Sequence, residues 1–216
     1  MIAIIDYGGG NIGSVKNALD YLNLANVVTD NPEQIRNAKK IILPGQGRFG
    51  DVMNKLRSKK LDKLLIEEIK KGKPYLGICI GLQILFEYGE EDLRVKGLSI
   101  LKGNVPKFAA KLKIPQIGWN NVKIKKESTL FKGIPEDSFF YFVHSYYANP
   151  FGTEDILSTT EYGIEFTSGI ENKNLFAIQF HPEKSGENGL KLLKNFGDLI
   201  CPKFSKQFLY VKNMGF

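Results

Sequence analysis

Short apolar runs near residues 1–6, 26–29, 39–43, 74–78 and 175–180 read as strands, each continuous enough to be covered on both faces. Between and after them, apolar residues recur at three- and four-residue spacing near 11–23, 50–71 and 81–88, the pattern of helices burying one side. This alternation predicts an α/β fold: an open, largely parallel, twisted sheet with helices on both faces. From 93 to 168 strand-forming runs take over at 98–101, 121–124, 139–147 and 164–166, predicting additional mixed or antiparallel strands. An apolar stripe over 189–200 predicts a closing helix.

No Pro- or Ser-rich linker divides the 216 residues, of which 43% are hydrophobic, so a single domain over 1–200 is expected. Residues 201–216 form a C-terminal tail to which the pattern assigns no role. The apolar start is too short for a secretion signal, and no run approaches the roughly 20 residues that span a bilayer. A soluble, cytoplasmic chain without a membrane partner is expected. The net charge of +7 invites a nucleic-acid reading, but the lysines come as scattered pairs such as Lys39 with Lys40 and Lys125 with Lys126. Without an arginine-rich arm or recognition motif, solvated surfaces account for them, and no nucleic-acid partner is expected. Cys79 and Cys201 cannot build a disulfide framework, and their number and spacing suggest no metal site; no cofactor is expected.

Chemistry concentrates at Cys79, which stands between Gly77 and Gly81 where the strand pattern gives way to the helical one. Glycines two before and two after a nucleophile allow a sharp strand-to-helix turn with close backbone approach. A cysteine at a helix start meets unpaired amides and the helix dipole, which favour thiolate, and the amide of Ile80 is placed to hold an oxyanion. A base is available about 100 residues on, in Gln179-Phe180-His181-Pro182-Glu183. Pro182 keeps His181 extended, and residues two apart in an extended chain share a side, so Glu183 can orient the imidazole. The other histidine, His144, lies in a β-prone aromatic run without an adjacent acid and reads as a hydrogen-bonded wall or core residue.

The Cys79 elbow and the Phe-His-Pro-Glu run together resemble the class I (triad) glutamine amidotransferases. Asp6-Tyr7-Gly8-Gly9-Gly10-Asn11, Pro44-Gly45-Gln46-Gly47, Gln116-Ile117-Gly118-Trp119-Asn120 and Tyr141-Phe142-Val143-His144-Ser145-Tyr146 extend the likeness, in order, to about residue 200. Within that family the motifs are similar to the glutaminase subunits of imidazole glycerol phosphate synthase. The resemblance implies glutamine hydrolysis by a Cys79–His181–Glu183 triad, with the backbone of Gly47 and Ile80 as oxyanion hole. It also implies glutamine binding by Gly45, Gly47, Gln83, Ser145 and Tyr146, and ammonia delivery to a (β/α)₈-barrel synthase in a heterodimer. Asn11, Trp119, Tyr141 and Lys184 match positions at that contact. Gln46 stands where the family usually has valine, and Arg48 where it has a small residue or histidine. Two alternatives stay open: a paralogous glutaminase feeding an amidotransferase that builds acetamidino groups on surface sugars, and a stand-alone thiol hydrolase acting on γ-glutamyl compounds.

Overall fold

The computed structural model describes residues 1–109 and 111–200; the tail expected at 201–216 lies outside the described residues. The chain runs β1 (Ile2–Ile5), α1 (Ile12–Tyr21), β2 (Asn26–Thr29), α2 (Pro32–Asn37), β3 (Lys40–Leu43), α3 (Phe49–Ser58), α4 (Leu61–Lys70), β4 (Tyr75–Ile78) and α5 (Ile80–Gln83). It continues through β5 (Tyr88–Gly89), β6 (Gly103–Val105), β7 (Gln116–Asn121), β8 (Lys123–Ile124), β9 (Phe139–His144), β10 (Asn149–Pro150), β11 (Ile156–Glu161), β12 (Glu165–Asn172) and β13 (Leu175–Ile178), ending in α6 (Gly186–Asp198). Among the described residues the main sheet has eight strands in the order β2-β1-β3-β4-β13-β12-β11-β8. The first five are parallel, and β12, β11 and β8 continue antiparallel, as the strand patterns anticipate.

Period-two alternation along each parallel strand builds both layers of the core. Ala3, Ile5, Ile41, Leu43, Tyr75 and Ala177 face one side, where they meet Val52, Met53 and Leu56 of α3 and Leu61, Leu64, Leu65 and Ile69 of α4. Their neighbours Ile2, Ile4, Ile42, Leu76, Ile78, Phe176 and Ile178 face the other, against Val15, Ala18 and Leu19 of α1 and Leu192, Leu193 and Phe196 of α6. The strands are buried on both faces because helices cover both, which is why their sequences read as unbroken apolar runs.

Three expectations are corrected. The helix expected over 50–71 is two helices, broken at Lys60, which adopts a left-handed conformation (φ 58°). The apolar stripes explain the break: Val52, Met53 and Leu56 keep helical spacing, as do Leu61, Leu64 and Leu65, but Leu56 and Leu61 are five apart, so one continuous helix would turn the second stripe off the core. The helix expected over 81–88 stops at Gln83, and the strand expected at 98–101 is a loop, for a shared reason. The amides of Leu98, Ile100 and Leu101 donate to the carbonyls of Ile84 and Leu85 at 2.7–3.0 Å, so the chain pairs across the gap instead of extending the helix. The helix α2 was not anticipated. Asn31 caps it, accepting from Glu33 N (2.9 Å) and Gln34 N (3.2 Å), and Pro32 opens it, a start signal present in the sequence but followed by little apolar periodicity. No helix among the described residues is long and apolar enough to cross a membrane.

One buried charge cluster ties α2, α4 and β4 together. Lys73 Nζ donates to the carbonyls of Ile35 (2.8 Å) and Arg36 (2.7 Å) near the end of α2 and pairs with Glu68 Oε2 at 2.6 Å, with both side chains buried. Burial opposes ionisation of Glu68, but hydrogen bonds from Lys73 and Lys71 outweigh it and hold the carboxyl below its ordinary 4.5. A depressed carboxyl stabilises the fold above the unfolded value, and that stability is lost as pH falls through the folded one. Replacing Glu68 by Gln is expected to cost about 3–5 kcal/mol by leaving Lys73 charged and buried without its partner. Denaturant melts should show this at pH 7, with the gap between variant and wild type shrinking as the pH falls through the lowered folded value and the wild-type carboxyl also protonates.

Candidate active site

Parallel pairing of β4 with β13 sets Ile78 opposite Ile178, and the amide of Cys79 continues the ladder by donating to Ile178 O at 2.8 Å. The next residues of both strands, Cys79 and Gln179, therefore leave the carboxyl edge of the sheet side by side, where open α/β sheets bind ligands. Cys79 sits at φ 54°, ψ −106°, a conformation costing a non-glycine residue about 1–3 kcal/mol. Its flanking glycines make the turn possible by their size. A Cβ on Gly77 would lie 2.3 Å from Gly81 O, and one on Gly81 would lie 2.3 Å from Leu43 O, so any side chain would drive β4, α5 and β3 apart. Ile80 opens α5, so its N–H has no intrahelical acceptor and is free to serve an oxyanion. With α5 only one turn long, the helix dipole expected to assist the thiol contributes little.

His181 follows β13 in extended conformation (φ −103°, ψ 96°), and Pro182 starts a single 3₁₀ turn that brings Glu183 back to it. Its Nδ1 lies 2.8 Å from Glu183 Oε1, and both side chains are closed to solvent. Ser185 fastens this turn: its hydroxyl donates to His181 O (2.6 Å) and accepts from Tyr141 N (3.0 Å), while His181 N donates to Tyr141 O (2.9 Å). Among the described residues, His181 Nε2 has no hydrogen-bond partner, leaving that nitrogen available to the thiol. Burial works against a charged ring, yet the facing charge and sulfur of Cys79, with the Glu183 carboxylate behind, raise the imidazole to about 10. The arrangement favours a charged imidazolium facing the sulfur.

A cavity of about 400 Å³ opens over the sulfur, lined by Cys79, Ile80, Gln83, Gln46, Gly47, Glu91, Pro115, Val143, His144, Ser145 and Tyr146. The expected positions Gly47, Cys79, Ile80, Gln83, Ser145 and Tyr146 are thus brought together, and His181 and Glu183 stand behind the sulfur. Gly45 is outside the lining and packs so tightly that a Cβ there would overlap Ile80. Beneath the 44–47 loop, the Tyr7 hydroxyl donates to Gln46 O (3.3 Å). Burial, and then the charge of Cys79, hold that phenol well above its usual range, so it stays a donor. His144 forms a wall, with Nδ1 2.8 Å from Tyr146 O and Nε2 3.0 Å from the Gln116 carboxamide. Its burial lowers it to about 4, against the pull of the Tyr146 carbonyl, so it is neutral and unsuited to hold a proton near pH 7.

Two residues at the site were not singled out from the sequence. Glu91 belongs to an acidic run that looks like solvated surface; folded, its Oε2 accepts from Phe49 N (2.7 Å) at the start of α3, its Oε1 lies 3.7 Å from Arg48 Nε, and it lines the cavity. Gln179 was read only as part of a strand-end motif, yet its Nε2 donates to Cys79 Sγ at 3.5 Å. The four positions matched to a partner contact also gather. Asn11 Nδ2 donates to Glu183 Oε1 (3.4 Å), Lys184 Nζ lies 5.8 Å from the centre of the Tyr141 ring, and Tyr141 meets Trp119 edge-on at 6.2 Å. Trp119 is 55% exposed, so it is not a core residue.

The glutamine amidotransferase class-I family model matches residues 3–199. The chain is 50% identical to the imidazole glycerol phosphate synthase subunit HisH of Moorella thermoacetica over 199 residues, 92% of this chain and 95% of that one. It is 49% identical to the same subunit of Methanocaldococcus jannaschii over 201 residues, 93% of this chain and 100% of that one. In fold it resembles PurLQS from Thermotoga maritima, with TM-score 0.69 at 20% identity, covering 90% of this chain and 96% of that one.

Nitrogen NMR of the two imidazoles provides a direct test of the site's electrostatics. His181 is expected to stay protonated to about pH 10 and His144 to stay neutral down to about pH 4. In a Cys79→Ala protein the His181 transition should move to lower pH, because the facing charge is gone. Two rings titrating together near 6.5 would contradict the assignment.

Proposed function

The chain belongs to the class-I glutamine amidotransferases, and on that premise we propose that it is the glutaminase subunit of an imidazole glycerol phosphate synthase, acting in histidine biosynthesis. The observation that carries the chemistry is the sulfur of Cys79 at the floor of a 400 Å³ cavity, on a strained turn, with the buried His181–Glu183 pair behind it. In the proposed reaction His181 Nε2 already holds the proton given up by the thiol, and Sγ bonds to the amide carbon of glutamine, whose carbonyl oxygen takes the electron pair. The amides of Ile80 and Gly47 receive that oxyanion. Collapse breaks the C–N bond, and His181 returns its proton to the departing ammonia. Water activated by the same imidazole then cleaves the thioester to release glutamate. Glu183 keeps the ring oriented throughout. Glu91 and Ser145 offer the cavity's polar groups to the amino-acid end of the substrate.

Ammonia released into water would be protonated and lost to the synthesis, so a synthase subunit must cover the site. The relatives are named as subunits, which supports a partner, and we assign that partner a (β/α)₈-barrel fold by the family resemblance. The docking face we propose is one side of the β7–β9 ribbon. Register puts Ile117 opposite Val143, Trp119 opposite Tyr141 and Asn121 opposite Phe139, and Ile117, Trp119 and Phe139 are exposed. A soluble chain seldom leaves such a patch uncovered. Lys184 stands over the Tyr141 ring of this ribbon, and Asn11 donates to Glu183 of the proposed triad.

Two measurements test this reading. Cys79→Ala assembled with its synthase should lose glutamine-dependent synthesis yet retain synthesis from ammonium salts, rising with pH as neutral ammonia increases, while Cys201→Ser keeps both. Failure of ammonium to support the variant complex would sink the division of labour. Separately, partner plus acceptor should raise glutamine hydrolysis by the wild-type chain at least ~10-fold, about 1.4 kcal/mol of barrier, and Trp119→Ala should weaken docking without impairing the fold. Full turnover by the isolated chain would remove the need for a partner.

A further inference from the structure

Gln179 is completely buried, and its carboxamide is the third link of a chain of hydrogen bonds whose direction is fixed from one end. The carbonyl of Tyr146 can only accept, so the group facing it at 2.9 Å must be the NH₂ of Gln83. The second hydrogen of that NH₂ goes to Gln179 Oε1 at 3.1 Å, which leaves the Gln179 NH₂ directed at Cys79 Sγ, 3.5 Å away. Neither carboxamide can be reversed without setting two acceptors or two donors against each other in a buried site. The contact also follows from topology, since β4 and β13 pair in parallel and deliver Cys79 and Gln179 to adjacent places on the sheet edge.

From this geometry we infer that Gln179 is a catalytic residue whose fixed N–H donor stabilises the anionic sulfur of Cys79, with Gln83 as the positioning residue that aims it. An N–H can serve a thiolate at any pH, and a hydrogen bond to the charged form favours that form. A further contact of the sulfur, with Val143 O at 3.9 Å, serves only the protonated thiol. With α5 a single turn, Gln179 takes over the part that a longer helix would play. The inference deepens the glutaminase reading and rests on it for turnover, but its effect on the sulfur does not require glutamine. It also changes the role of Gln83: both hydrogens of its amide are committed inside the protein, so they are not available to substrate.

The test is the pH dependence of alkylation by iodoacetamide, mapped to the Cys79 peptide of the full chain, in wild type, Gln179→Met and Gln179→Glu. The two substitutions keep nearly the same volume and remove the donor. Both are expected to move the midpoint of alkylation upward by about one pH unit or more, with the Glu variant moving further because it adds negative charge. In the complex with its synthase, Gln179→Met should lower kcat for glutamine ~10-fold or more with KM within about twofold, as for an interaction made to the reacting atom rather than to bound substrate. A midpoint unmoved in whichever of the two variants folds overturns the inference, because a role in packing alone would not shift it. A wild-type complex that alkylates with the expected midpoint shift between variants, yet never hydrolyses glutamine, would instead overturn the functional reading and leave the sulfur contact standing.

Discussion

Everything at the site depends on the parallel ladder between β4 and β13. That pairing sets two strand ends level, so that the proposed nucleophile at residue 79 and the proposed base three residues beyond the end of the other strand emerge together. A slip of one residue would send alternate side chains to the opposite face of the sheet and separate the sulfur from both Gln179 and His181. The ladder is held in place by burial on both faces. Leu76, Ile78, Phe176 and Ile178 face α1 and α6, and Tyr75 and Ala177 face the layer of α3 and α4. Packing of ordinary hydrophobic strands is thus what gives the chemistry its geometry.

The parallel strands and the residues of the candidate site, Cys79 and the His181–Glu183 pair, were legible in the sequence because each carries a local signal. Doubly buried strands are apolar throughout, Gly77 and Gly81 bracket the cysteine, and Pro182 with Glu183 marks the histidine. What escaped was set by contacts distant in sequence. The truncation of α5 comes from amides at 98–101 reaching its carbonyls, and no propensity within 81–88 announces that. Glu91 gains a role only because the start of α3 lies within reach, and Gln179 only because its strand pairs with β4. Lys60 is intermediate: the five-residue jump between apolar stripes was visible, but its meaning depends on knowing that both helices cover the same face.

The two histidines show how environment divides chemically identical rings. Both are buried, which disfavours charge in each. Among the described residues the His144 ring is hydrogen-bonded to a carbonyl and a carboxamide, so burial prevails and the ring stays neutral as part of the cavity wall. His181 has a carboxylate on one nitrogen and a sulfur facing the other, and these outweigh burial. Glu183 Oε1 also accepts from Asn11, so Asn11 reaches His181 through the one carboxylate they share.

The place of β13 in the sheet has a consequence for how the chain matures. Among the described residues it is the last strand in chain order, yet it occupies an interior position, between β4 and β12. Pairings this far apart in sequence form late, because a long loop must close before they add stability. Until β13 inserts, Cys79 has neither Gln179 nor His181 beside it. A partly folded chain therefore lacks the proposed site, which is assembled only when the sheet is complete.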